Sequence, residues 1–275
     1  MSKVWVVTGA SQGLGLGIVK YLLENGESVC ATTRNVNSLI EKVGPESDHF
    51  FPYSVDLAKE ESVNDFKEKV LEKFSTVDVL VNNAGYEMAG PIEYLKKEQV
   101  ESIFDINVFG VLNMIRSFVP VMREKRSGCV VNIMSSSGFR AHAMSAAYCA
   151  TKSAVLALSK SLRLEMEPFG VRVVGILPGG MITNFAQSIR FVQETNEDYE
   201  YVREYLSSHR LYPPGPKNAR VENVAKLIQM CVEADNPPTD FWMGSDCRRH
   251  AREEMNYREE EFAKYKAFCS LADRD

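Results

Sequence analysis

The chain has 275 residues, 45% apolar and 25% charged, which are ordinary globular values and exclude extensive disorder or a fibrous repeat. Lys and Arg number 32 against 37 Asp and Glu, so the formal charge is −5. A mildly acidic chain lacks the broad basic footprint of a nucleic-acid binder. No uninterrupted apolar run reaches the roughly 18 residues of a spanning helix, so no membrane span is expected. Met1-Ser2-Lys3 leads directly into a strand-like run, so no signal peptide is expected either. Six cysteines stand at Cys30, Cys129, Cys149, Cys231, Cys247 and Cys269, without a Cys-x-x-Cys pair. That spacing suits a reduced, cytoplasmic protein better than a disulfide framework or a metal site.

In chain order, short apolar runs alternate with amphipathic stretches. Lys3–Thr8 reads as a buried strand, and Gly13–Asn25 carries Leu14, Ile18, Tyr21 and Leu22 at helical spacing. Ser28–Thr33 and Phe50–Val55 are strands, and Glu60–Phe74 is a charged helix with Val63, Phe66, Val70 and Leu71 along one stripe. Asp78–Asn82 is a fourth strand, Gln99–Arg123 a long helix, and Cys129–Met134 a fifth strand. Ala146–Glu167 is a helix and Val171–Leu177 a sixth strand. Continuous Val/Ile/Leu runs separated by helices predict a single-domain α/β fold, a parallel sheet covered on both faces.

Two regions break the pattern. Thr183–Pro216 has no clean period and is rich in aromatics (Phe185, Phe191, Tyr199, Tyr201, Tyr205, Tyr212), as substrate-binding loops often are. The stretch Arg248–Asp275 is highly charged, with a sparse stripe of Ala251, Met255, Phe262, Tyr265 and Cys269. It reads as a helical tail, either docked or solvated. The expected organisation is therefore a catalytic domain over 1–247, with its substrate loop at 183–216, and a tail over 248–275.

The first strand is followed by Thr8-Gly9-Ala10-Ser11-Gln12-Gly13-Leu14-Gly15. Glycines there permit a tight turn and let a pyrophosphate approach the backbone, and the next helix offers free N–H groups and a positive dipole end. The second strand ends in Thr33-Arg34, where an NAD site would want a carboxylate for the ribose 2′-hydroxyl. A guanidinium can instead bind a 2′-phosphate through two charge-assisted hydrogen bonds. The expected cofactor is NADP(H), unless Arg34 merely opens a surface loop. Asp56, before Leu57, could accept from an adenine amino group or cap the helix that follows.

Tyr148 and Lys152 stand four apart, on one face of a helix. A free tyrosine has a pKa of about 10, and lowering it by two to three units takes roughly 3–4 kcal/mol. A neighbouring ammonium and an oxidised nicotinamide in a dry cleft could supply that. Ser135 lies at the carboxyl end of the fifth strand, where ligands of open α/β sheets gather. A hydroxyl there could hold a carbonyl oxygen, although Ser136 or Ser137 could serve, or all three could cap a turn. Asn107 is polar within an apolar helical stretch and must find partners, either water or backbone near Lys152.

Together these residues resemble a short-chain dehydrogenase/reductase of the branch about 250 residues long. The matching motifs are Thr8–Gly15, Asn82-Asn83-Ala84-Gly85, Asn107, Ser135, Tyr148-x₃-Lys152 and Pro178-Gly179-x₃-Thr183, in order from residue 3 to about 183. The resemblance implies a Rossmann-like, doubly wound parallel sheet of about seven strands. It also implies a tetrad in which Tyr148 moves the proton, Ser135 positions the substrate oxygen, Lys152 lowers the tyrosine pKa and holds the nicotinamide ribose, and Asn107 supports a water. Asn83, Ala84 and Gly85 would line the adenine-ribose side, and Pro178, Gly179 and Thr183 would flank the nicotinamide and its phosphate.

One departure is Thr239–Asp246, where the family often ends its last strand near Asp-Gly-Gly. The last strand is therefore expected to be short or irregular. The usual edge-to-edge contact is thereby put in doubt, although a homo-oligomer stays open.

Tyr86, Met88, Ser137, Phe139, Met181 and Phe185 are the expected pocket wall. They suit a mid-sized, largely apolar ketone, aldehyde or alcohol. The text around Asn82–Gly110 and Tyr148–Leu164 is similar to the steroid- and retinol-dehydrogenase-like branch. Arg140, His142 and Arg190 could instead receive a carboxylate or be plain surface charge. Because Tyr148 already fills the proton-transfer role, His142 is not needed as a base. The expected function is an NADP-dependent carbonyl reductase or alcohol dehydrogenase. The alternative is a catalytically silent NADP(H)-binding sensor or scaffold.

Overall fold

The computed structural model describes residues 2–272, except 182, 184, 186–187, 193–195, 201, 203 and 205–218. Strand β1 (Val4–Thr8) leads through helix α1 (Gly13–Glu24) to β2 (Ser28–Thr33). Helix α2 (Val36–Val43) follows, then β3 (Phe50–Ser54), α3 (Glu60–Phe74) and β4 (Val79–Asn82). After the two-residue β5 (Met88–Ala89), α4 (Lys97–Phe104) and α5 (Gly110–Lys125) flank a π-helical turn at Asp105–Phe109. Next come β6 (Gly128–Ile133), α6 (Ala146–Met166), β7 (Val171–Pro178) and the short β8 (Arg190–Phe191). The chain closes with α7 (Val221–Glu233), β9 (Asp240–Met243) and α8 (Ser245–Cys269).

Seven strands form one parallel sheet in the order β3-β2-β1-β4-β6-β7-β9. The order runs outward from β1 to β3 and then reverses to β4, so a crevice opens beyond the carboxyl ends of β1 and β4, where such sheets bind ligands. β1, β2, β4 and β6 are buried along their whole length, which explains why they read as unbroken apolar runs. One face packs Val6, Leu80 and Val130 with Phe66, Met114 and Phe118; the other packs Trp5, Val7 and Val131 with Ile18, Leu22 and Ile228. The Rossmann-like, doubly wound architecture anticipated from the sequence is therefore present.

Three details differ from the expectation, and the last strand is short, as expected. The long helix spans Lys97–Lys125 and is interrupted by the π-helical turn. It is long and apolar enough, by length and composition, to cross a membrane, but most of its apolar window is buried inside the protein. Helices α2 and α7 went unread: α2 buries only Leu39, and α7 follows the aromatic stretch that has no period. β9 is short but in register, pairing Gly175 with Asp240 through Pro178 with Met243, and it stops at Gly244 with φ +96°. Finally, α8 starts at Ser245, so the boundary expected at 247/248 falls inside a helix. Its first turns dock, with Cys247 and Ala251 buried and Glu253 paired to Arg140, while Phe262 and Phe268 beyond them are exposed. All six cysteines are free.

Phe66 is fully buried, its ring centre 5.6 Å from Tyr53, 5.8 Å from Phe118 and 6.4 Å from Phe51. It ties α3 to β3 and α5. Phe66→Ala is expected to cost about 3–5 kcal/mol of stability, read from the urea unfolding midpoint at unchanged slope.

Candidate active site

The crevice starts at the turn after β1. Gly9 adopts φ +67°, and a methyl group there would come within 2.8 Å of Ala84 Cα. A methyl group at Gly15 would strike the Gly9 carbonyl oxygen, so Gly15 serves close helix–turn packing rather than lining the crevice. The turn is stitched to the end of β4. Thr8 Oγ1 accepts from the backbone N–H of Asn83 (2.9 Å) and Ala84 (3.0 Å), and Asn83 Nδ2 donates to the Thr8 carbonyl at 2.9 Å. One layer down, Asn82 Nδ2 donates to Asn132 Oδ1 and Asn132 Nδ2 to Ser159 Oγ, each at 2.8 Å, joining β4, β6 and α6. The polar letters of Asn82-Asn83-Ala84-Gly85 thus fix the strand ends around a space kept open by glycine.

That space is a cavity of about 790 Å³, well within the usual range for ligand pockets. At one end it is lined by Gly9, Ser11, Gln12, Gly13 and Leu14, with Thr33 and Arg34 at the tip of β2 and Leu57 after β3. Asn83, Ala84 and Gly85 form its floor. At the other end lie Ser135, Tyr148 and Lys152, with Pro178, Gly179, Met181, Thr183 and Phe185 across from them. One continuous cavity therefore joins the glycine turn to the tyrosine. A cradle walled by Gly9 and Gly13 and followed by the α1 N-terminus fits a dinucleotide pyrophosphate.

The polar end is built on α6 and β6. Tyr148 and Lys152 share one face of α6; both are buried, with Lys152 Nζ 5.7 Å from the centre of the Tyr148 ring. Lys152 Nζ donates to the Ile133 carbonyl at 3.0 Å. Burial away from water pushes its pKa down from 10.5 to about 8. Ser135 caps the short helical turn Ser136–Gly138, its Oγ accepting from the Ser137 N–H at 3.1 Å. Its hydroxyl proton points to Ser137 Oγ at 3.2 Å, a weak partner that a carbonyl oxygen in the cavity could replace. Ser136 also lines the cavity, whereas Ser137 lies behind, almost fully buried. Of the three serines, Ser135 thus faces the cavity with a supported oxygen.

Several expected site residues lie off the cavity wall. Asn107 sits on the π-helical turn, whose wider winding turns its side chain toward the loop after β4. Its Oδ1 accepts from the Tyr86 N–H at 3.1 Å, and its Nδ2 donates to the Tyr86 carbonyl at 2.9 Å and to Thr151 Oγ1 at 3.1 Å. It holds backbone and α6 together, which is the backbone half of what the sequence suggested. Asp56 Oδ1 accepts from the Ala58 N–H at 3.2 Å and pairs with Lys59, a turn cap rather than a cavity residue. Met88 is buried against Ile103 and Tyr148. Phe139 stacks edge-on against Trp242 at 5.0 Å and under the Arg258 guanidinium at 5.5 Å, away from the cavity. Tyr86 does line it. Of the aromatic stretch, Tyr201, Tyr205 and Tyr212 and the segment 213–216 lie outside the described residues.

Three residues that the sequence did not single out belong to this site. Lys42 Nζ reaches back from α2 to the Ser11 carbonyl at 2.8 Å. Glu87 lines the cavity and is almost fully buried; burial raises its pKa, and a hydrogen bond from Ser145 Oγ at 2.8 Å opposes that rise. Asp246 accepts from the Gly180 N–H at 2.7 Å, anchoring the loop after β7. Lys42 could be found only once α2 is known, and Glu87 reads in sequence as one more surface carboxylate.

The Lys152 shift predicts a pH dependence of stability. With the native pKa near 8 and the ordinary value at 10.5, the unfolded chain binds more protons between those pH values, so stability rises with pH across that window. The full rise is about 3 kcal/mol. In Lys152→Met it is expected to vanish, as measured by urea unfolding of the cofactor-free protein at pH 7.5, 9 and 10.5.

Residues 3–194 match the family model described as short chain dehydrogenase. A 3-ketodihydrosphingosine reductase of Bacteroides thetaiotaomicron is 30% identical over 237 residues, 86% of each chain. The crystal structure of a short-chain dehydrogenase from Streptomyces avermitilis superposes with a TM-score of 0.91 at 31% identity, covering 100% of this chain and 99% of that one. A short chain dehydrogenase from Burkholderia cenocepacia (TM-score 0.74, 26% identity, 96% and 97% coverage) was solved with NADP. A 3-ketoacyl-(acyl-carrier-protein) reductase from Brucella melitensis (0.74, 25%, 87% and 95%) was solved with NADH. With residues 3–194 matching that family model and the seven-stranded parallel sheet superposing on these structures, the chain belongs to the short-chain dehydrogenase/reductase family of oxidoreductases.

Proposed function

We propose that the protein is a cytoplasmic, NADP(H)-dependent oxidoreductase that interconverts a carbonyl and an alcohol on a mid-sized, largely apolar small molecule. The carrying observation is the single cavity that joins the glycine turn to Ser135, Tyr148 and Lys152. When bound, the nicotinamide supplies or accepts the hydride. Tyr148 gives the carbonyl oxygen its proton in reduction and takes it back in oxidation. Ser135 donates a hydrogen bond to the same oxygen, its own oxygen held by the Ser137 N–H. Lys152 in its charged form favours the phenolate and offers N–H donors to the nicotinamide ribose. Asn107 acts through others, fixing the Tyr86 loop and, by way of Thr151, the α6 turn that carries Tyr148.

Preference for NADP(H) rests on the tip of β2. The Thr33 hydroxyl accepts from the Asn35 N–H at 3.3 Å, so no carboxylate stands where a 2′-phosphate would be repelled. Arg34 is exposed on the cavity wall and makes no ion pair among the described residues. Lys42, held at the Ser11 carbonyl, brings a second cation to the same corner. Five thiols buried as small apolar side chains suit a reducing compartment.

Tyr148→Phe is expected to lower kcat/KM for NADPH-dependent carbonyl reduction by at least a hundredfold while NADPH still binds. A wild-type protein that binds NADPH but reduces nothing in a carbonyl panel would instead support a silent sensor or scaffold. Arg34→Ala should weaken NADPH binding tenfold or more, with NADH binding changed about twofold or less, and Lys42→Ala should act in the same direction. Equal affinities of the parent protein for the two coenzymes would overturn the coenzyme assignment.

A further inference from the structure

Three cations line the cavity among the described residues: Arg34, Lys152 and Arg190. The reading above places the first two at the 2′-phosphate and beside Tyr148; it leaves Arg190 without a task. Arg190 opens β8, which is held through its backbone. The Arg190 N–H donates to the Glu87 carbonyl and the Val192 N–H to the Ala89 carbonyl, each at 2.9 Å. The guanidinium lies over the Tyr86 ring, its central carbon 4.1 Å from the ring centre. Tyr86 is itself pinned, by its hydroxyl to Ser102 Oγ at 2.9 Å and by its backbone to Asn107. A stacked guanidinium keeps the N–H donors at its edge free and already oriented.

Among the described residues, nothing else in this wall claims that charge. Arg190 makes no ion pair with a carboxylate among the described residues. Glu87 is adjacent through its backbone, but its carboxyl is turned to Ser145, and its burial disfavours the negative form. Of the other two basic residues considered for an anion, Arg140 is engaged by Glu253 and His142 lies against His250, 6.4 Å between ring centres. The lining also includes the apolar Phe185, its ring 6.2 Å from that of Tyr148, and Ile189, next to Arg190 in the chain.

We propose that Arg190 recognises an oxyanion on the substrate, so that the molecule reduced at Tyr148 carries a carboxylate or phosphate separated from its carbonyl by an apolar stretch. This rests on the carbonyl-reductase reading above and narrows its substrate class. A planar fork is suited to either anion through paired hydrogen bonds. The apolar stretch would lie along Phe185 and Ile189, and the anion would be gripped at the β5–β8 edge.

The test uses a medium-chain oxo-carboxylate, its methyl ester and the matching oxo-alkyl phosphate, with NADPH oxidation followed for wild type, Arg190→Gln and Arg190→Lys. In wild type, kcat/KM for the anionic compounds should exceed that for the ester by more than tenfold, carried by KM. In Arg190→Gln the ratio should fall to near one, and Arg190→Lys should restore part of it. Whichever of carboxylate and phosphate is preferred identifies the anion. An ester used as well as the acid by wild type, or an equal loss for ester and acid in Arg190→Gln, would overturn the proposal, the latter marking a purely structural stack on Tyr86. Calorimetric binding of the saturated carboxylate and phosphate to the NADP⁺-loaded proteins gives an arm that needs no turnover. If NADPH binds but no carbonyl is reduced, the reductase reading fails; Arg190 is then decided by whether Arg190→Gln weakens anion binding tenfold or leaves it unchanged.

Discussion

The ammonium of Lys152 is the group around which the site is organised. A cation removed from water is costly, and here it has one carbonyl, that of Ile133, within hydrogen-bond reach. Burial is the sole cause of its lowered pKa, with no carboxylate opposing the shift. The fold accepts this because the surrounding geometry is over-determined. A methyl group at Gly138 would come within 2.8 Å of the Lys152 carbonyl oxygen, so α6 lies hard against the turn that carries Ser135. The chain from Asn82 through Asn132 to Ser159 ties the same helix to the sheet. Local cost of this kind, held in place by packing elsewhere, is characteristic of functional sites.

That constraint explains where other residues stand. Asn107 needs the π-helical turn, because an unbroken helix from Lys97 to Lys125 would wind it away from the Tyr86 backbone. The extra residue in that turn is the structural reason a polar side chain interrupts an apolar helix. Thr151, one residue before Lys152, accepts from Asn107 and donates to the Tyr148 carbonyl at 2.8 Å. The proposed proton donor is therefore held by the loop after β4 as well as by its own helix.

Much of this was legible in the sequence, for physical reasons. Doubly buried strands such as Val4–Thr8 leave continuous apolar runs, and the glycine turn is required by the φ of Gly9 and the contact at Gly15. Tyr148 and Lys152 were visible as an i, i+4 pair. What escaped was tertiary. Phe139 has the composition of a pocket wall but is drawn off by Trp242 and Arg258, which lie more than a hundred residues away in the chain. Asp56 offered two readings, and local turn chemistry decided between them. Lys42 and Glu87 carry no motif, because their relevance comes from where α2 and β5 place them.

The two ends of the cavity are built differently, and this bears on how one scaffold serves many substrates. At the glycine turn, positions are set by residues that cannot change cheaply: Thr8 and Asn83 hydrogen-bond to backbone, and a methyl group at Gly9 or Gly15 would strike a backbone atom. On the far wall, β8 is paired with β5 through backbone hydrogen bonds, at Met88 with Arg190 and Ala89 with Phe191. Backbone pairing fixes where a residue stands without dictating which residue it is. The backbone place of position 190 is thus set independently of its side chain, which leaves the substrate end open to specialisation while the cofactor end is held constant.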